Sequence, residues 1–142
     1  MYIDGMNIER CLNLELRKAN RVLTKYYDTY LASCGIKTSQ FSVLRAIYIL
    51  KKTSNKQLQE VLVLDQTSLT RALKPLIRDG FIDVFSGTDR RTKHLVLSKQ
   101  GHDLYKRAKL PWEEAQQNTS KSLGEKMMKN LLSVSNAIVT MK

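Results

Sequence analysis

Between residues 8 and 34 the apolar side chains fall at Ile8, Leu12, Leu16, Ala19, Leu23, Tyr26, Tyr27, Tyr30, Leu31 and Cys34. Steps of three and four place them on one face of a long amphipathic helix. Gly35 supplies the residue that commonly ends such a helix. A second helix is expected from about Thr38, with Phe41, Val43, Leu44, Ile47, Tyr48 and Leu50 along it, stopping by Lys51-Lys52-Thr53. Ser54-Asn55-Lys56-Gln57 reads as a capping box. It opens a short helix that buries Leu58, Val61 and Leu62. Asp65 caps a further helix over 66–79, closed by Gly80.

The period then changes. Phe81-Ile82-Asp83-Val84-Phe85 and His94-Leu95-Val96-Leu97 flank a polar tip, Ser86 to Lys93, which predicts a β-hairpin. Ser98 caps the next helix from about Lys99. Pro111 is expected to kink it or to begin a new one carrying Trp112. Ser122-Leu123-Gly124-Glu125 reads as another capping box. The last helix carries Leu123, Met127, Leu131, Val134, Ile138 and Met141 at steps of three and four.

The order is helix, helix, short helix, helix, hairpin, helix, helix. The expected fold is mainly α with a small β element (α+β). One unit spans 1–142, with a helical lobe from 1–37 and 99–142 around a compact lobe at 38–98. The apolar stripes of the first and last helices exceed what the middle can cover, so they are expected to pair with a second copy as a homodimer.

Charge narrows the function. The 142 residues hold 24 Lys and Arg against 13 Asp and Glu, for a net +11. Residues 35–99 hold 12 basic and 5 acidic side chains, so the excess sits in the middle. That points to a polyanion. No apolar run reaches a membrane span and no signal peptide is evident, so a cytoplasmic protein without a membrane partner is expected. No nucleophile stands beside a base, no Gly-rich phosphate loop is present, and His94 and His102 form no metal-ligand set. An enzyme, a cofactor and a metal are therefore not expected.

On a helical projection of 66–79, Leu69, Leu73, Leu76 and Ile77 share one face. Thr67, Arg71, Lys74 and Arg78 lie opposite, flanked by Ser68 and Thr70. That stripe contains no carboxylate, although like charges one turn apart repel. Phosphates would neutralise them. The helices on either side of 62–64 then form a helix-turn-helix, whose second helix enters a major groove. Arginine reads guanine bidentately, and Ser or Thr bonds to several bases. Pro75 is expected to bend the end of this helix. A helix-turn-helix followed by a basic hairpin is a winged helix. Arg90, Arg91 and Lys93 at the tip suit a narrow, strongly negative minor groove. Asp89 is expected to hold one of the arginines in a single rotamer.

The segments LDQTSLTRALKPLIRDGFI and GTDRRTKHLVLSKQG resemble the MarR family of bacterial transcription regulators. The family's wing motif maps onto Asp89, Arg91, Leu97-Ser98 and Gly101, with Ser98 in place of the usual Thr. The resemblance implies a homodimer on a pseudo-palindromic double-stranded DNA operator. It would usually be a repressor, released by a small molecule or by oxidation. In that family a ligand pocket lies where the two lobes meet, which makes Tyr26, Tyr27, Tyr30, His102 and Trp112 its candidate walls. Some members sense peroxides through a cysteine near the start of the first helix, the alternative that Cys11 offers. A basic protein binding nucleic acid without sequence preference is a further alternative.

Overall fold

The computed structural model describes residues 10–89 and 91–141. The chain forms α1 (Leu12–Leu31), a 3-10 turn (Ala32–Cys34), α2 (Thr38–Leu50), α3 (Asn55–Leu62) and α4 (Gln66–Arg78). There follow β1 (Ile82–Ser86), β2 (Lys93–Leu97), α5 (Lys99–Leu123) and α6 (Glu125–Val139).

The core gathers where α2 meets α3, α4, the sheet and α5. Phe41, Val43, Leu44 and Ile47 of α2 are buried against Leu58, Leu69, Leu76, Ile82, Leu95 and Leu104. β1 and β2 are antiparallel, with Ile82 opposite Leu97 and Ser86 opposite Lys93. Thr53 adds a bridge to Leu95, each residue donating its N–H to the other's carbonyl at 3.1 and 2.8 Å. This ties the start of the helix-turn-helix to the hairpin. Gly101 lets α5 approach: a Cβ there would lie 2.0 Å from the Phe81 carbonyl oxygen.

Several local expectations change. α1 begins at Leu12 with Cys11 as its N-cap, and Ile8 lies outside the described residues. The Ser54 box is half formed. Ser54 Oγ accepts from the Gln57 N–H, but the Gln57 side chain accepts from the Thr53 hydroxyl instead. Val61 and Ile77 are exposed, at 54% and 39%, because α3 and α4 turn those positions away from α2. Pro111 neither ends nor restarts a helix. α5 is one 25-residue helix, with Tyr105, Ala108 and Ala115 buried on both sides of the proline. α4 runs through Pro75 to Arg78, a span compatible with the expected bend. Ser122 caps nothing: Gly124, at φ 84°, stands between α5 and α6, and no side chain caps α6.

The apolar surface of the terminal helices is exposed. Leu12, Leu14, Leu16 and Val22 of α1 face outward, and α6 buries no residue, leaving Met127, Leu131, Leu132, Val134, Ile138 and Val139 uncovered.

Candidate nucleic-acid interface

The start of α4 is fixed by Asp65. Its carboxylate accepts from the Ser68 N–H at 2.7 Å and from the Ser68 hydroxyl at 3.1 Å. The same amide and hydroxyl hold the Asp65 carboxyl below its ordinary value. The Ser68 hydroxyl is thus spent on the cap. Leu69, Leu73 and Leu76 pin the inner face. Outward, Gln66, Thr67, Thr70, Arg71 and Lys74 line a shallow open groove. Gln66 is absent from the sequence-based set, although it lies one turn before Thr70 and its exposure follows from that spacing.

Among the described residues, Arg71 and Lys74 have no carboxylate within ion-pair distance. Arg78 differs from the sequence expectation. Its guanidinium donates to both Asp79 oxygens, at 2.9 and 3.2 Å. The pair raises Arg78 and lowers Asp79 from their usual values. It is solvent-exposed and so contributes little to stability.

The wing tip runs from Gly87 to Thr92. Gly87 N–H donates to the Thr92 carbonyl at 3.1 Å, and Thr92 N–H to the Asp89 carbonyl at 3.1 Å. The Asp89 side chain accepts from the Arg91 backbone N–H at 3.0 Å. It therefore shapes the turn rather than holding the Arg91 guanidinium, because an Asx turn closes over two residues. Arg91 and Lys93 are exposed. Arg90 lies outside the described residues.

The five candidate pocket residues divide between two junctions, α1 with α5 and α2 with α5. Tyr26 and Tyr30 hydroxyls bond at 3.0 Å, Asn118 donates to Tyr30 at 2.7 Å, and the Tyr27 hydroxyl donates to Gln116. The Tyr30 contact raises Tyr26, and burial raises Tyr27. Trp112 packs elsewhere, its ring 5.3 Å from Phe41 with the Arg45 guanidinium 5.1 Å above it. His102 meets Tyr48 edge-on at 5.7 Å. Cys11 is exposed, and its sulfur accepts from the Leu14 N–H at 3.4 Å. Among the described residues no group of three or more His, Cys, Asp or Glu is placed to hold a metal, and no helix is long and apolar enough to cross a membrane.

Two helices at a turn, an outward hydroxyl-and-cation face on the second, and a basic hairpin behind it define a winged helix-turn-helix protein. Residues 36–93 match the model of the MarR family. The chain is similar to the uncharacterised HTH-type transcriptional regulator YwoH of Bacillus subtilis, at 26% identity over 98 residues, 69% of this chain and 72% of YwoH. It is 28% identical to the HTH-type transcriptional regulator SarZ of Staphylococcus epidermidis over 73% of this chain and 71% of SarZ. Among solved structures, the transcriptional regulator MosR of M. tuberculosis in complex with DNA superimposes with a TM-score of 0.80 at 27% identity, over 91% of this chain and 96% of MosR. A mutant MarR of E. coli complexed with operator DNA has the same fold, with a TM-score of 0.83 at 22% identity over 94% and 96% of the two chains. The match to the MarR family thus covers the winged helix-turn-helix lobe.

Proposed function

We propose that this protein is a sequence-specific transcription regulator that binds double-stranded DNA as a homodimer and represses from a pseudo-palindromic operator. The observation that carries the reading is the outward face of α4. Thr67, Thr70, Arg71 and Lys74 stand together there without a carboxylate in the stripe. Helix 65–79 enters the major groove, with Thr67, Thr70 and Arg71 toward base edges and Lys74 and Arg78 toward phosphates. Ser68 and Asp89 act through the backbone they fix. The wing, 86–93, reaches the minor groove with Arg90, Arg91 and Lys93. The MosR and E. coli MarR structures, each solved with DNA, support this reading.

An unidentified small ligand regulates the binding, acting where Tyr26, Tyr27, Tyr30, His102 and Trp112 join α5 to α1 and α2. A NadR structure holding 4-hydroxyphenylacetate, with a TM-score of 0.76 at 20% identity, shares the fold. A second reading, release by thiol oxidation, is favoured by the exposure of Cys11 at a helix N-terminus.

The test is selection of duplexes from a random library near physiological salt, with the natural protein and with Arg91→Ala. The reading expects a palindrome with half-sites about one helical turn apart. Arg91→Ala should keep the half-site and lose A·T preference at the wing positions. No enriched sequence would overturn it.

A further inference from the structure

We propose that His94 is the positioning residue of the wing: its imidazole packs on Gly87 and fixes the tip that presents Arg91 to the minor groove. The proposal rests on reading the wing as a minor-groove element.

In the hairpin register Phe85 stands opposite His94, and Ser86 opposite Lys93. Side chains alternate between faces, so Phe85 and His94 share the outer face while Ile82, Leu95 and Leu97 are buried on the inner one. The Phe85 ring lies 5.6 Å from the imidazole. Beyond this pair, the imidazole reaches the first residue of the tip. A Cβ at Gly87 would lie 2.6 Å from His94 Nε2 and 3.0 Å from Cδ2. Gly87 is not among the residues of positive φ. The glycine thus leaves space that the imidazole edge fills, and an added Cβ would have to displace that ring.

Among the described residues, the other contacts of the tip are its own hydrogen bonds. The hydrogen bond from Gly87 to Thr92 closes it, and Asp89 bonds within it. Neither ties it to the outer face of the strands. The His94 ring does, through Phe85 below and Gly87 above. A tip held in one arrangement loses less entropy when its cations meet DNA. Sequence pattern alone does not reveal this contact, because a His in a strand two residues after a turn has no signature.

The test compares His94→Ala, Gly87→Ala and the double variant with the natural protein. Trypsin cleaves after Arg and Lys; the tip carries Arg90 and Arg91, and Lys93 opens β2. In the free protein, His94→Ala should raise tip cleavage about ten-fold while Tm stays put, because cleavage follows local opening. In duplex selection it should lower A·T preference at the wing positions roughly three- to ten-fold and leave the α4 half-site intact. Gly87→Ala should reproduce both effects by displacing the ring. The double variant should be no worse than His94→Ala, since the added methyl then meets nothing. Unchanged tip cleavage in His94→Ala, or simple addition of the two single effects, would overturn the proposal. If the natural protein selects no duplex, the DNA reading fails, and the cleavage comparison still decides the role of His94.

Discussion

At Gly101 a single hydrogen atom decides whether α5 can reach the hairpin. The Phe81 carbonyl occupies the place of a side chain, 2.0 Å from where a Cβ would be. The same carbonyl accepts the N–H of Ser98, the residue that caps α5, so it cannot move without losing that bond. Gly101→Ala should destabilise the fold by about 2 kcal/mol or more, read as a lower urea midpoint. Asp65 illustrates a titrating contact. Its carboxyl is held below the ordinary value of 3.8 by the Ser68 amide and hydroxyl. A depressed folded-state value stabilises above the unfolded one, and that contribution disappears as pH falls through the folded one. Thermal melts should therefore lose part of their stability below about pH 4. Asp65→Asn keeps an N-cap that does not titrate, and its melting curves should show a smaller acid loss.

At the scale of the element, α4 makes unequal use of its cations. Arg71→Ala should relax base preference at one position by about 1–3 kcal/mol. Arg78→Ala, which removes a cation already shared with Asp79, should weaken binding evenly across sequences and lower the salt slope by about one. Competition binding at two or more salt concentrations separates the two. The periodicity of Leu69, Leu73 and Leu76 made this helix and its basic face readable from sequence. The Arg78–Asp79 pair was not, because neighbours along a helix do not face each other and the contact depends on Asp79 leaving the helix. Val61 and Ile77 lie at apolar spacing, yet spacing does not say whether a neighbour covers the face. Thr53 forms a one-residue strand, too short to carry any period. Pro111 lies inside α5 between the buried Ala108 and Ala115, so it does not begin a new helix, an outcome that the local proline rule left open.

For the whole molecule, the decisive property is surface that the single chain leaves open. Leu131→Asp with Ile138→Asp should convert a species of twice the 16.3 kDa chain mass into one of that mass in light scattering. The same variant should bind operator DNA far more weakly, since each half-site alone supplies fewer phosphate contacts. The wing and α4, remote from α6, should remain folded in it, with helical content reduced by no more than the last helix.

The junction at Gly124 carries a further consequence. α6 is joined to α5 through that one residue and buries nothing of its own. A helix of this length standing alone in water is only marginally stable. Its helicity should then track protein concentration. On dilution, the far-ultraviolet dichroism of the last fifteen or so residues should fade before that of the core. The chain would thus sense its own abundance: at low copy number the terminal arm unwinds, and a gradual rise in synthesis becomes a sharper rise in assembled, operator-competent protein.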